Sequence, residues 1–173
     1  MGLWDILPQE HTSALTSINS QKIPALFSRV DRHVGWKRDT SNLDLGSGQY
    51  LNVVDWLWKK DVFNIGYDPY NCSSYANSLT IDYINRNKVD TVSISNVLNV
   101  VKEPENRLLL LLQAKACVKD DGHIYITIYT KNRNNKPEVT AKGYQSNRSL
   151  KSYLEEVTQV FPSAYIKHNL LII

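Results

Sequence analysis

The chain is poor in cysteine and has no long apolar run, and both absences narrow its class. Only 2 of its 173 residues are cysteine, Cys72 and Cys117, and they do not form a CxxC pair. The four histidines are not spaced as metal ligands are, so we expect neither a disulfide framework nor a structural zinc site. The longest fully apolar run is the five-leucine stretch at 108–112, which is too short to span a bilayer.

Targeting features are also missing from the N-terminal sequence MGLWDILPQEHTS. It has no basic leading region and no cleavable apolar core, so no signal peptide is expected. Ile6 stands where N-myristoylation needs Ser or Thr. A reducing cytoplasm is therefore the expected location, and Cys117, within an apolar helical stretch, is expected to be a small core residue.

The composition that remains is that of a globular domain. Hydrophobic residues make up 42% and charged residues 21%, and the length suits one domain with a proper core. The net charge of +3 permits nucleic-acid binding without favouring it.

Strand and helix signals alternate from residue 41 to the end. Periodicity and turn residues predict strands at 41–45, 62–67, 78–83, 90–96, 123–130 and 164–173, and helices at 24–35, 50–60, 106–119 and 150–161. The fold class predicted is α/β, a doubly wound and mostly parallel sheet with helices on both faces. Residues 1–40 are expected to pack on or cap a site held by a domain at 41–173.

The most informative segment, residues 42–71, is NLDLGSGQYLNVVDWLWKKDVFNIGYDPYN. It predicts a strand, a Gly-rich turn, a helix and a second strand that ends in an acid. Gly46 and Gly48 allow backbone to approach a ligand, and Asp68, 20 residues beyond Gly48, is placed to hold ribose hydroxyls. An ordinary tight turn is the alternative for the two glycines alone, and the acid makes a nucleoside site the preferred interpretation.

Leu51 separates the possible nucleoside ligands. A dinucleotide fingerprint needs a third glycine, and that position is Leu51 here. S-adenosylmethionine (SAM) has no phosphate and needs a ribose clamp with room for its methionine tail, which DLGSG followed by YDPYN suits better. NAD remains an alternative.

Four stretches resemble class I SAM-dependent methyltransferases. DLGSG is similar to their first motif, GYDPYN to the acidic motif, SISNVLNVV to the fourth motif, and VKDDGHIYITIY to their final helix, turn and strand. Together with TSIN and GYQSN, these motifs also resemble a small methyltransferase-like family of phages and bacteria. The location implied is then a bacterial cytoplasm, or the host cytoplasm for a phage protein.

The resemblance implies a role for each matching residue. Asp44, Gly46, Ser47 and Gly48 line the methionine end, with Asp44 acting on the ammonium directly or through water. Asp68 accepts hydrogen bonds from both ribose hydroxyls, and the next two residues, Pro69 and Tyr70, lie near the ribose and adenine. Ser95 and Asn96 lie beside the reacting sulfonium.

Two departures from the resemblance bear on the methyl acceptor. Neither proline nor an aromatic residue follows Asn96, which argues against DNA amino-methylation, and no Pro-Cys dipeptide is present for cytosine-C5 chemistry.

The third motif, expected near residues 80–82, is poorly matched, and the chain ends soon after its last strand signal, which predicts an abbreviated C-terminal hairpin. Asn96 and Asn99 can orient an acceptor but cannot act as bases, and capping of the loop is their alternative role.

Two further groups are candidates near the acceptor. Tyr144, Gln145 and Asn147 bind substrate or form a turn and cap before the last helix. The TSIN segment at 16–19 is a lid or a plain extension, and the basic loop at 131–142 contacts phosphates or is solvated.

The sequence therefore predicts a SAM-dependent methyltransferase with an unidentified acceptor, a small molecule or a nucleic acid, and with neither metal nor membrane partner. A SAM-binding protein without transferase activity is the alternative.

Overall fold

A computed structural model describes residues 2–11, 15, 22–49, 51–129 and 137–173. The elements of that part follow in the order α1 (Ala25–His33), β1 (Thr40–Leu45), α2 (Asn52–Trp58), β2 (Val62–Tyr67), α3 (Ser74–Arg86), β3 (Val89–Ser95), α4 (Pro104–Cys117), β4 (Val118–Thr127), β5 (Glu138–Thr140), β6 (Gly143–Gln145), a 3-10 helix (Leu150–Tyr153), α5 (Leu154–Val160), β7 (Tyr165–Lys167) and β8 (Leu170–Ile172). None of the described helices is long and apolar enough to cross a membrane.

One six-stranded sheet runs in the order β2-β1-β3-β4-β8-β7. The first four strands are parallel, and β8 and β7 are antiparallel to their neighbours. The chain order reverses between β1 and β3, so this pair forms the switch point of a doubly wound sheet, where ligands bind beyond the carboxyl ends of the strands. The predicted fold class is confirmed.

Helices cover both faces of the sheet. On one face α1 and α2 bury Leu26, Phe27 and Leu57 together with Tyr125 of β4. On the other face α3, α4, the 3-10 helix and α5 build the larger core, with Tyr153 fully buried in it. The N-terminal helix α1 thus shares its core with the sheet and does not stand apart from residues 41–173.

The strand predicted at 78–83 is wrong, because these residues lie inside helix α3. Ser73 caps the helix, and its side chain accepts a hydrogen bond from the Ala76 N–H at 3.1 Å. The buried face of α3 consists of Asn77, Thr80 and Ile84, a helical spacing in which two members are polar. The polar members hid the apolar period from sequence reasoning.

Three boundaries also differ from their predictions. The turn expected at 120–122 lies within β4, where the register with β3 shifts and the extra residues protrude as an exposed bulge.

The single strand expected at 164–173 is the hairpin β7–β8, whose turn residues His168 and Asn169 both have positive φ. The C-terminal hairpin is therefore present, with strands of three residues each. Ser149, and not Asn147, occupies the N-cap position of the 3-10 helix.

A buried guanidinium holds the loop after β3 in place. The Arg107 side chain, in α4, donates to the carbonyls of Val101 and Lys102 at 2.9 and 2.7 Å and forms a two-point ion pair with Glu156 of α5. Arg148 donates to the same carboxylate at 2.8 Å. Both arginines hold the pKa of Glu156 below its usual value against the opposing effect of burial. The Arg107 side chain thus fixes α4, α5 and the loop after β3 relative to one another.

We expect Arg107→Ala to lower the free energy of unfolding by about 3 kcal/mol, because it leaves the partly buried Glu156 carboxylate and two backbone carbonyls with fewer partners. Urea denaturation measures the change. The matched control is Arg38→Ala, which removes an exposed ion pair with Asp61 and is expected to cost less than about 1 kcal/mol. Equal losses in the two variants would show that the Arg107–Glu156 ion pair stabilises the fold no more than an exposed ion pair does.

Candidate functional site

The loop after β1 requires glycine at residue 46. Gly46 has φ +79°, and a Cβ there would lie 2.3 Å from Cγ2 of Val97, which follows β3. Its N–H donates to the Tyr67 carbonyl at the end of β2 at 2.8 Å. The loop is therefore pressed between the ends of β2 and β3, where only a residue without a side chain fits.

A second close approach was not foreseen from the sequence. A Cβ on Gly66 of β2 would lie 2.7 Å from the Ser47 hydroxyl, so glycine at 66 lets the loop rest on the strand. The Ser47 hydroxyl also contacts the Cys72 sulfur at 3.6 Å. Gly48 has φ +70° and completes the turn.

The Asp68 carboxylate joins the glycine loop to the turn that follows β2. Its Oδ2 accepts from the Gly48 N–H at 2.9 Å. Its Oδ1 accepts from the backbone N–H groups of Tyr70 and Asn71 at 3.0 and 2.9 Å, and from the Asn71 amide at 3.2 Å. A carboxylate has about four acceptor sites. Three of these donors are on Oδ1 and one is on Oδ2, so a ribose hydroxyl can use the second acceptor site of Oδ2. A second hydroxyl can replace the side-chain amide of Asn71, which makes the longest of these bonds.

The backbone of Asp68 is held by helix α3. Asn77 accepts from the Asp68 N–H at 3.1 Å and donates to its carbonyl at 2.9 Å, while Thr80 donates to the Gly66 carbonyl at 2.8 Å. The polar members of the buried face of α3 thus position the acid that the sequence singled out.

Below the loop, a buried polar row crosses β2, β1 and β3. The Asn42 amide donates to the Asn64 oxygen at 2.6 Å and to the Ser93 hydroxyl at 3.0 Å, and accepts from the Thr91 hydroxyl at 2.8 Å. Ser93 in turn donates to Asp44 at 3.1 Å. Burial raises the pKa of Asp44 to about 7, with the Asp68 charge adding to that rise and the Ser93 hydrogen bond opposing it.

A segment at the N-terminus, the strap (residues 2–11), runs antiparallel along α4. The Gln113 amide donates to the Leu3 carbonyl at 2.8 Å, and Asn106 donates to the Pro8 carbonyl at 3.1 Å. Glu103 accepts from the Glu10 N–H at 2.9 Å, and the Trp4 and Tyr67 ring centroids are 4.7 Å apart. Sequence reasoning missed these contacts because they join residues far apart in the chain.

The strap and the strand ends enclose a cavity of about 740 Å³. This volume is within the range of roughly 300–1,000 Å³ that small-molecule sites occupy. The cavity extends from Asp68 beside β2 to Tyr129 beyond β4, which is three strand spacings or about 14 Å. Leu109 and Leu110 of α4, with Val97 after β3, give the cavity an apolar patch, and Asn106 and Gln113 are the polar residues of α4 in its lining.

Most of the predicted site residues line this cavity. They are Gly46, Ser47, Gly48, Asp68, Pro69, Tyr70, Ser95, Asn96, Asn99 and Gln145. Asp44, Tyr144 and Asn147 do not, because Asp44 lies in the buried row, Tyr144 pairs with Val139 in the β5–β6 hairpin, and Asn147 is fully buried. The proposed lid at 16–19 and half of the basic loop, residues 131–136, lie outside the described residues.

The far end of the cavity is built from amides. Asn96 has φ +61°, and its N–H donates to the Thr127 carbonyl at 2.9 Å. The side-chain amide of Asn99 donates to the Tyr129 carbonyl at 3.2 Å, and the backbone carbonyl of Asn99 accepts from the Ser146 N–H at 2.7 Å. Across the described ranges, no group of three or more His, Cys, Asp or Glu side chains comes together as a candidate metal site.

The solved structures similar in fold to this chain include several SAM-dependent methyltransferases. The fold is similar to that of 1,6-didemethyltoxoflavin-N1-methyltransferase from Burkholderia thailandensis, with TM-score 0.61 and 13% identity over 84% of this chain and 73% of that one. A TehB-like methyltransferase from Corynebacterium glutamicum has TM-score 0.53 and 17% identity over 87% of each chain. For the glycopeptide N-methyltransferase MtfA the values are 0.55 and 9%, over 84% of this chain and 91% of that one.

At these identities the likeness shows the fold, a Rossmann-like methyltransferase fold. No protein-family model and no curated protein matches the sequence.

We expect Asp44 to make the protein less stable as pH rises. Its folded-state pKa of about 7 is above the ordinary 3.8, so the folded protein binds the extra proton and loses that advantage between about pH 4 and pH 7. The free energy of unfolding of Asp44→Asn, relative to that of wild type, should therefore be about 3 kcal/mol higher at pH 8 than at pH 5. Urea denaturation at the two pH values measures this gain.

The control for this prediction is Asp121→Asn on the exposed bulge, which should change stability by no more than about 0.5 kcal/mol at either pH. A difference between Asp44→Asn and wild type that is the same at both pH values would show that Asp44 does not carry the effect.

Proposed function

We propose that this protein is a SAM-dependent methyltransferase. The observation that carries the proposal is the position of the cavity, at the switch point of the sheet between a glycine loop and the Asp68 carboxylate. The donor and acceptor groups suit SAM, whose sulfonium supplies an activated methyl group when bound.

Each part of the cavity fits one part of this ligand. Gly46, Ser47 and Gly48 bring backbone close to the methionine end, and Asp68 offers the ribose the second acceptor site of its Oδ2. The apolar patch of Val97, Leu109 and Leu110 offers a slot for adenine beside Pro69 and Tyr70. Sequence reasoning left this adenine contact unassigned. Ser95 and Asn96 are then next to the methyl group. Asp44, set behind the loop, acts on the ammonium through water.

The chain's own contribution to methyl transfer is alignment and exclusion of water. The strap covers the cavity through polar contacts along α4, and these contacts can open to admit a ligand. The ends of β3 and β4 hold Asn96 and Asn99 on short, hydrogen-bonded turns. Such fixed positions let an acceptor meet the methyl group in line, which is the main demand of this chemistry.

The proposed location is the cytoplasm of a bacterium, or of the host if a phage encodes the chain. Cys72 and Cys117 are unpaired, which suits a reducing compartment. Burial raises the pKa of the Cys117 thiol to about 12, which makes it an inert core residue.

We expect Asp68→Asn to weaken SAM binding by roughly 10- to 150-fold, because charge-assisted bonds to the ribose are lost. Isothermal calorimetry with SAM measures the affinity. Asn is preferred to Ala because Ala leaves the N–H groups of Gly48, Tyr70 and Asn71 without their acceptor and so damages the loop. The control Asp82→Asn, on the exposed side of α3, should bind normally. Absence of SAM binding to the wild-type protein would refute the proposal.

A second function is SAM binding without transfer. It is favoured by the described cavity wall near Asn99, where no carboxylate or histidine is present to act as a base. Incubation with methyl-labelled SAM and a bacterial lysate separates the two functions, and we expect label in an acceptor. Tight SAM binding with no label in any fraction supports the second function.

A further inference from the structure

One backbone carbonyl fixes two side-chain amides at the far end of the cavity. The Tyr129 carbonyl accepts from the Asn99 amide nitrogen at 3.2 Å and from the Gln145 amide nitrogen at 3.3 Å. Gln145 also donates to the Ser146 carbonyl at 3.1 Å. Carbonyls only accept hydrogen bonds, so both nitrogens must face them, and the orientation of this amide pair (Asn99 and Gln145) is set.

The oxygens of the amide pair are therefore its remaining binding groups. Asn99 is 1% exposed, and its Oδ1 has no hydrogen-bond partner among the described residues. A buried acceptor without a partner is costly, so this atom favours a ligand that brings an N–H or O–H donor. The half-exposed Tyr129 side chain lines the cavity beside it and offers a ring face.

No negative charge is bonded to the amide pair. The acidic side chains among the described cavity residues are Asp5 and Asp68. Asp68 accepts its four donors at the other end, and Asp5, on the strap, accepts from the Gly2 N–H. Burial, together with the Asp68 and Glu103 charges, raises the pKa of Tyr70, which keeps its phenol protonated near neutrality and unavailable as a base.

We propose that the methyl acceptor is a neutral nitrogen nucleophile bearing N–H, whose hydrogen is donated to Asn99 Oδ1 with Gln145 as the second acceptor. This inference rests on the proposed function and names the acceptor class for the same cavity. Amino-substituted aromatic rings and other weakly basic amines, which are neutral near pH 7, belong to this class.

The reaction balances without a base on the protein. The nitrogen lone pair forms the new N–CH3 bond while the CH3–S bond breaks, and the electron pair of that bond stays on sulfur. The nitrogen becomes cationic and loses its proton to water afterwards. A hydroxyl acceptor needs its proton removed during transfer, and amide oxygens cannot do this. A carboxylate or thiolate needs no base, but its negative charge is repelled by two amide oxygens.

The amide pair also binds the transition state better than the ground state. Hydrogen bonds from a cationic donor are stronger than those from a neutral one, so the bond to Asn99 strengthens as positive charge develops on nitrogen. Because the pair is already oriented by Tyr129, little reorganisation is needed during transfer.

The test uses aniline, phenol and benzoate, which share a ring and differ in the nucleophile. Protein saturated with S-adenosylhomocysteine is titrated with each probe, and the side-chain amide signals of Asn99 and Gln145 are followed by nitrogen-15 NMR. We expect aniline to shift these signals and benzoate to leave them unchanged. With SAM labelled in the methyl group, transfer to aniline nitrogen should exceed transfer to phenol or benzoate oxygen at least tenfold.

Variants separate the amide pair from general structural effects. Asn99→Leu should lower transfer to aniline at least tenfold while the affinity for S-adenosylhomocysteine stays within twofold. Gln145→Leu, at a less buried position, should lower it several-fold and serves if the first variant does not fold. The control Asn85→Leu, exposed on α3, should behave as wild type.

Three results overturn the inference: equal or faster transfer to oxygen, no response of the amide signals to aniline, or full activity in both variants of the amide pair. Failure of the proposed function has a different signature: SAM and S-adenosylhomocysteine do not bind, or SAM binds and its methyl group reaches none of the three probes and no lysate fraction.

Discussion

The carboxylate of Asp68 is the interaction on which the site depends. Its backbone is fixed by Asn77 of α3, and its oxygens collect donors from the glycine loop and from the turn after β2. The ends of two strands and one helix therefore meet at one residue. Because the donors are mostly backbone N–H groups, the loop has its binding shape before a ligand arrives, and less ordering opposes binding.

The two ends of the cavity reach the same rigidity by different means. Beside β2, glycines let the backbone pack against the side chains of Val97 and Ser47, and the Asp68 carboxylate accepts hydrogen bonds from the backbone N–H groups. Beside β4, the groups are neutral amides anchored on carbonyls. Under the proposed function, the first end holds the cofactor by charge and the second holds the acceptor by dipoles, which suits a step that moves positive charge from sulfur to the acceptor.

The sequence predicted the parts of the fold that local pattern determines. The strand–loop–helix–strand unit around Gly46 and Asp68 follows from apolar alternation, turn glycines and an acid at a strand end. Helix α3 was missed because its buried positions are mainly polar, and their partners lie on another element. The buried polar row had a visible signal, since Asn42, Asp44 and Asn64 alternate with apolar residues in parallel strands that are buried on both faces. The strap had none, because its contacts with α4 depend on tertiary structure alone.

Helix α3 has one more consequence, for how the molecule meets its neighbours in solution. Within the described residues β2 is an outer strand of the sheet, and outer strands expose backbone groups that can pair with another chain. Thr80 and Asn77 occupy backbone groups at the end of this strand, and the Phe63 and Tyr83 rings pack together beside it, with their centroids 5.6 Å apart. The helix that positions Asp68 therefore also covers the end of the outer strand and protects the sheet against strand addition.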